Sequence, residues 1–142
     1  MLIRPLRSSD QQAASHPLRQ LDYDIDVAEL ASRIGRVLAS STHFAIVAEE
    51  SGRICGLVHA YERPALEKAL EVVLQSLVVD QSVRKKGVGK QLVRAAETWA
   101  ISRGIDRVVL HTRIDREDAR RFYERIGYKV TATSHLMTKC LA

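Results

Sequence analysis

The chain has 142 residues with 22 lysines and arginines against 17 aspartates and glutamates, a formal charge of +5, and is 46% hydrophobic and 27% charged. That length suits one core of about 100–150 residues, and the balance of apolar and charged residues excludes both a disordered chain and a membrane bundle. No apolar stretch nears the ~18 residues of a spanning helix and arginines interrupt MLIRPLRSSD where a secretion signal needs apolar residues, so the expectation is one cytoplasmic domain over residues 1–142 whose charge favours an anionic partner.

LIRPLR reads as a short first strand, with Pro5 marking an edge or an end, and SSD supplies capping residues for a helix after it. From Asp26 to Leu38 the residues Val27, Leu30, Ala31, Ile34, Val37 and Leu38 recur at steps of three and four, which predicts an amphipathic helix capped by Asp26. Asp22, Asp24, Asp26 and Glu29 cluster there, either as caps on a solvated face or as a negative rim that draws in a cation. FAIVAEE and RICGLVHAYE, separated by SG, predict an antiparallel hairpin, and LEVVLQSLVVD a third long strand.

A stripe of Val88, Leu92, Ala95, Ala96, Trp99 and Ala100 predicts a helix from about Val88 to Arg103 that stops at Gly104. The strand RVVLHT follows, then a helix in REDARRFYERIG with Ala119, Phe122, Tyr123 and Ile126 on one side and Gly127 at its end. YKVTATSHLMTKCL closes the chain as a strand pair. Cys55 and Cys140, both in apolar strand-like settings, are expected to be buried reduced thiols. The order of elements is that of a mixed α/β single domain.

Between the third long strand and its helix stands DQSVRKKGVG. The first turn of a helix leaves about four backbone N–H groups without carbonyl partners, and their dipoles favour an anion. Gly87 and Gly89 lack the Cβ atoms that would hold a ligand off and let successive N–H groups turn inward as a nest. Arg84, Lys85 and Lys86 add charge, arginine with a fork suited to phosphate oxygens. A pyrophosphate meets that pattern, and so does an ordinary solvated turn. A P-loop ending at Gly89-Lys90 would need glycine at Arg84 and a hydroxyl residue at Gln91; a dinucleotide fingerprint would need glycine or alanine at Leu92. Neither spacing is met.

The stretch LVVDQSVRKKGVGKQLV resembles the acetyl-CoA motif of the GNAT family of N-acetyltransferases: an apolar strand, then R-x-x-G-x-G, then a helix. REDARRFYERIGY resembles the family's second motif, in which a helix carries a tyrosine, here Tyr123, and ends at a glycine-aromatic pair, here Gly127-Tyr128. The resemblance runs roughly from Leu2 to Leu141. It implies an acyl-CoA N-acyltransferase fold, a mostly antiparallel sheet with a splayed strand pair and flanking helices, forming one N-acetyltransferase domain. It further implies that backbone groups of Leu77, Val78 and Val79 pair with the pantetheine arm of acetyl-CoA. The amides of Lys85, Lys86, Gly87, Val88, Gly89 and Lys90 would hold the pyrophosphate, with Arg84 beside the phosphates. Many relatives place asparagine where this chain has Arg116, and relatives are often dimers, so a homodimer is a further expectation.

Acetyl transfer to an amine needs a neutral nucleophile and a protonated leaving thiol, without a metal. Tyr123 is the candidate acid, since a phenol with a pKa near 10 can donate to a thiolate whose conjugate acid titrates near 8.5; the alternative is that it only packs. The base is open: Glu71, on the strand face of Val73 and Gln75 by alternation, or water. His16, His43, His59, His111 and His135 show no ligand spacing for a metal; His59 and His111 read as structural residues or liners of the acceptor pocket. The expected acceptor is a small primary amine or a peptide amine. Rival readings are a CoA-binding sensor on the same fold and a basic nucleic-acid module, the latter disfavoured by 5% aromatic content and a short cationic run.

Overall fold

A computed structural model describes residues 1–20, 24–84 and 86–142, in two compact units, Met1–His111 and Thr112–Ala142. The first unit contains strands β1 (Leu2–Pro5), β2 (His43–Glu50), β3 (Arg53–Arg63), β4 (Glu71–Val79) and β5 (Val108–Val109), and helices α1 (Gln11–Arg19), α2 (Val27–Leu38) and α3 (Val88–Ser102). The strands form one sheet in the order β1-β2-β3-β4-β5. The first four are antiparallel neighbours, and β5 runs parallel to β4.

Alternation along β2 and β3 gives the sheet two covered faces. On one face Phe44 stacks on Trp99 of α3, ring centroids 5.1 Å apart. On the other, Val47 and Leu57 join Ala14 of α1 with Leu30 and Ile34 of α2 in a buried cluster. Burying that stripe is what makes α2 a helix here, because Asp26 occupies the capping position with extended backbone but makes no side-chain cap bond. Near the first strand, buried Arg4 joins Asp10 at 2.9 and 3.0 Å and Glu49 at 2.8 Å, pinning β1 and β2 to the turn that leads into α1.

Two irregularities shape the sheet around β4. Its register with β3 slips so that His59 faces Ser76 while Ala60 faces Leu74, leaving Gln75 as an extra residue in a bulge. Pairing with β5 covers only Val72 and Val73, so the expected strand RVVLHT is reduced to two residues. Among the described residues, the outer edge of β4 beyond Val73 has no partner strand, which is the splay expected of the strand pair.

The second unit contains α4 (Glu117–Arg125), whose Phe122 and Tyr123 rings meet edge-on at 5.1 Å, with Tyr128 edge-on to Tyr123 at 5.8 Å. Helices α3 and α4 are followed by glycines with positive φ, Gly104 and Gly127, as their sequences predict. Among the described residues the predicted closing strand pair is not formed: residues 128–142 enter no ladder and carry no helix. Apolar alternation marks a segment able to pair, but a strand exists only where a partner supplies hydrogen bonds. Among the described residues no helix is long and apolar enough to cross a membrane.

Helix α3 lies close to β3 because Gly56 has no side chain. A Cβ built there would stand 2.9 Å from Leu92 Cδ1 and 3.1 Å from Val88 Cγ1, and both side chains are buried. Gly56→Val should therefore destabilise the first unit by about 1–3 kcal/mol through overpacking, read as a Tm several degrees lower in thermal unfolding.

Candidate functional site

Strand β4 ends at Val79, and the chain crosses to α3 through a bend built on Asp80. The backbone N–H of Asp80 donates to the Cys55 carbonyl at 2.8 Å, and its carboxylate accepts from the Ser82 N–H at 2.8 Å, closing the turn Gln81–Val83. Gln20, at the end of α1, holds this turn from outside. Its amide donates to Asp80 at 3.2 Å, and its carbonyl oxygen accepts from the Gln81 N–H at 3.1 Å. His16 Nε2 lies 3.2 Å from the same Asp80 oxygen. The Ser82 N–H is the main cause holding the Asp80 carboxyl below its usual range, against the opposing effect of burial.

From there the chain rises to Gly87, whose φ of +79° lies in the left-handed region that disfavours side chains. A Cβ at Gly87 would meet nothing within 4 Å, so the bend faces open space. Val88 is buried against the sheet, while Arg84, Lys86 and Lys90 are exposed. Arg84 donates through Nε to the Val79 carbonyl at 3.3 Å, folding over the strand end. Among the described residues no carboxylate pairs with Arg84, Lys86 or Lys90. The first turn of α3 adds N–H groups for which the helix has no carbonyl. A strand end, a left-handed glycine, a helix start and three uncompensated cations thus meet at one bend. Lys85 lies outside the described residues.

A family model described as the acetyltransferase (GNAT) family matches residues 6–128. The chain belongs to this family. It is 28% identical over 139 residues to an uncharacterized N-acetyltransferase of Bacillus subtilis, covering 96% of both chains. It is 32% identical to the aminoalkylphosphonate N-acetyltransferase of Salmonella typhimurium, over 78% of this chain and 70% of that one. Among solved structures, the aminoglycoside N-acetyltransferase AAC(6')-Iy in complex with CoA superposes with a TM-score of 0.88 at 19% identity, over 97% of this chain and 93% of that one. The GNAT fold is therefore shared, and the chain is an acyltransferase of the N-acetyltransferase kind.

The other residues singled out from the sequence fall as follows. Leu77, Val78 and Val79 form the last ladder of β4, paired with Val58, Leu57 and Gly56. Tyr123 lies half-buried on α4 of the second unit, where burial pushes its phenol up to about 12 and Arg116 pulls the other way. Arg116, at the position of the family's asparagine, turns to Asp118 at 3.3 Å. Glu71 proves unsuited as a base. It is 1% exposed and paired with Arg63, and with Lys68 at 3.0 Å, which hold its carboxyl below the ordinary range although burial opposes them. The bulge also breaks the alternation that placed it on one face with Gln75.

Within the acidic cluster, Glu29 is compensated by Arg33 at 2.9 Å, Asp24 and Asp26 are exposed, and Asp22 lies outside the described residues. Cys55 is buried as expected, whereas Cys140 is exposed. His111 is exposed and His59 half-buried against His43. Among the described residues no group of three or more metal-binding side chains converges. Sequence reading assigned no role to Asp80 or Gln20. For Asp80 a signal existed, since aspartate two residues before a serine N–H is a common turn former; for Gln20, a partner far along the chain, none did.

Asp80→Ala removes the turn's cap, worth about 1 kcal/mol, and should speed hydrogen exchange of the Val83 and Arg84 amides, which donate to Asp80 and Gln81, about fivefold while β2 is unaffected. The lowered carboxyls also predict acid behaviour. A carboxylate whose folded pKa is depressed adds stability that is complete above its unfolded pKa, about 4, and is lost as pH falls through the folded value. Asp10, Glu71 and Asp80 are all depressed, so Tm should fall steeply only below about pH 4, and Glu71→Gln should make that fall shallower.

Proposed function

We propose that the chain is an acetyl-CoA-dependent N-acetyltransferase, a single domain over residues 1–142, that moves an acetyl group directly to a primary amine of a small molecule or peptide. The bend from Arg84 to Lys90 carries this reading: its glycine is left-handed with open space before it, and its cations have no carboxylate partner among the described residues. Such a surface suits a diphosphate bound by backbone N–H groups and arginine. Lys85, Lys86, Gly87, Val88, Gly89 and Lys90 are assigned to the diphosphate, with Arg84 beside it. The backbone of Leu77, Val78 and Val79 is assigned to the pantetheine arm, which would lie along the open outer edge of β4 much as an added strand does.

A CoA thioester supplies the acetyl group in activated form. Tyr123 is assigned proton donation to the departing sulfur. Burial keeps its phenol protonated, up to about 12, so the group is a hydrogen-bond donor whose proton moves only as charge gathers on sulfur. Aminoalkylphosphonates and aminoglycosides, the substrates in two relatives' names, support a small primary amine as the acceptor.

Calorimetric titration with acetyl-CoA and CoA, followed by release of free CoA across polyamines, aminoglycosides, aminoalkylphosphonates, amino acids and peptides, tests the reading. Failure to bind CoA would sink it, and binding without turnover of any amine would mark a sensor instead. Tyr123→Phe should lower kcat by about 100-fold or more with CoA affinity unchanged.

A further inference from the structure

An amine acceptor arrives as an ammonium ion and must lose a proton before it can attack. Of the carboxylates on or beside the central strands, Glu71 is engaged by Arg63 and Lys68, Glu62 by Arg103, and Asp80 by the Ser82 N–H, while Glu50 is exposed at the end of β2 away from His43. A pair of histidines on the sheet is tied to no charged side chain among the described residues. His43 of β2 and His59 of β3 are hydrogen-bonded Nδ1 to Nε2 at 2.9 Å, both half-buried. Their rings stack at 5.1 Å and 22°, and the His43 ring stacks in turn on Tyr61 at 5.2 Å and 16°. Among the described residues, His59 Nδ1 and His43 Nε2 have no other hydrogen-bond partner.

The pair has a defined place relative to β4. His59 is paired with Ser76, next to the bulge at Gln75 and next to Leu77, where the assigned track of the pantetheine arm begins. Counting back from the bend, Ser76 lies three residues before Val79, about 10 Å at the rise of a strand. The reactive end of an arm laid along Leu77–Val79 therefore points at this part of the sheet. The rings stand on the face opposite α3, because Phe44, next to His43, stacks on Trp99 of α3.

We propose that the His43–His59 pair is the proton acceptor of the transfer, with His59 taking the ammonium proton and His43 passing one on to water. This rests on the function proposed above. In the resting pair His59 carries its hydrogen on Nε2, shared with His43 Nδ1. The N–H bond of the ammonium breaks and its proton goes to His59 Nδ1; the Nε2 hydrogen moves to His43 Nδ1, and the His43 Nε2 hydrogen leaves to water. The freed amine lone pair forms the bond to the acetyl carbon, the carbon–sulfur electron pair stays on sulfur, and the second proton lost by the nitrogen balances the one that sulfur takes up. Net, one proton reaches solvent. Burial, with His43 beside it, lowers His59 to about 4, so the ring is neutral at rest; the same lowering makes it a weak base, which is why the proton passes on through His43 and does not rest there.

His59→Ala should lower kcat about 100-fold with CoA affinity within twofold by calorimetry, and added imidazole should restore much of the loss. His43→Phe keeps a ring on Tyr61 but removes the nitrogens, and should lower kcat about tenfold or more with Tm near that of the wild type. Independently of turnover, nitrogen NMR of the intact protein should show two neutral imidazoles sharing one hydrogen. Turnover within threefold of wild type in both variants, a loss that imidazole does not rescue, or an imidazolium in the resting pair overturns the proposal. If the wild type turns over no amine, the functional reading falls with it; if the wild type is active and the variants match it, only the relay falls.

Discussion

Gly56 is paired with Val79, the last residue of β4, and is also where α3 comes down on the sheet through Val88 and Leu92. One residue without a side chain thus fixes both sides of the bend: where the strand stops and where the helix starts. Next to it, the Cys55 carbonyl receives the Asp80 N–H at 2.8 Å, so the first residue after the strand is tied to the same point. The chain between these anchors is short and must reverse, and the left-handed Gly87 supplies that reversal without a Cβ penalty. The surroundings of the bend are thus held by packing, and a side chain at Gly87 would meet only open space, while the Lys86 N–H is itself taken up by the Val83 carbonyl at 3.3 Å.

The buried acids have structural work. Asp10 answers Arg4, Glu71 answers Arg63 and Lys68, and Asp80 shapes the turn before α3. Each is stabilised as an anion by its partners, and for Asp10 that partner, Arg4, is itself buried and would be left with Glu49 alone if Asp10 took up a proton. Such a group makes a poor base, since the interactions that keep it charged also lower its affinity for a proton. The cations at the bend are the opposite case. Arg84, Lys86 and Lys90 are exposed and unpaired among the described residues, a state that costs little in water and leaves their charge available to an anion.

What the sequence made legible was whatever has a local period or a local rule. The stripes of α2 and α3, the hairpin around SG and the glycines ending α3 and α4 come through because each is set by residues a few positions apart. The bend was legible for the same reason, as a strand, a cationic run and two glycines in immediate succession. Glu71 keeps its expected face with Val73, but a bulge at Gln75 breaks the alternation beyond Leu74, and a bulge depends on the partner strand. Asp26 has a capping residue's type and position but lacks the bond. Residues 128–142 alternate like a strand, yet pairing is a property of two segments and no pattern within one can guarantee it. The His43–His59 contact and the Gln20 clamp join residues far apart in the chain, and composition gives no hint of either.

Burial acts in opposite directions on the two groups assigned to move protons. It raises the Tyr123 phenol to about 12 and lowers His59 to about 4, because in both cases it penalises the ion. Across the neutral range both are therefore uncharged, one with a hydrogen to give and the other with a lone pair. Arg84, Lys86 and Lys90, unpaired among the described residues, stand past the end of β4, where the proposed diphosphate would neutralise them.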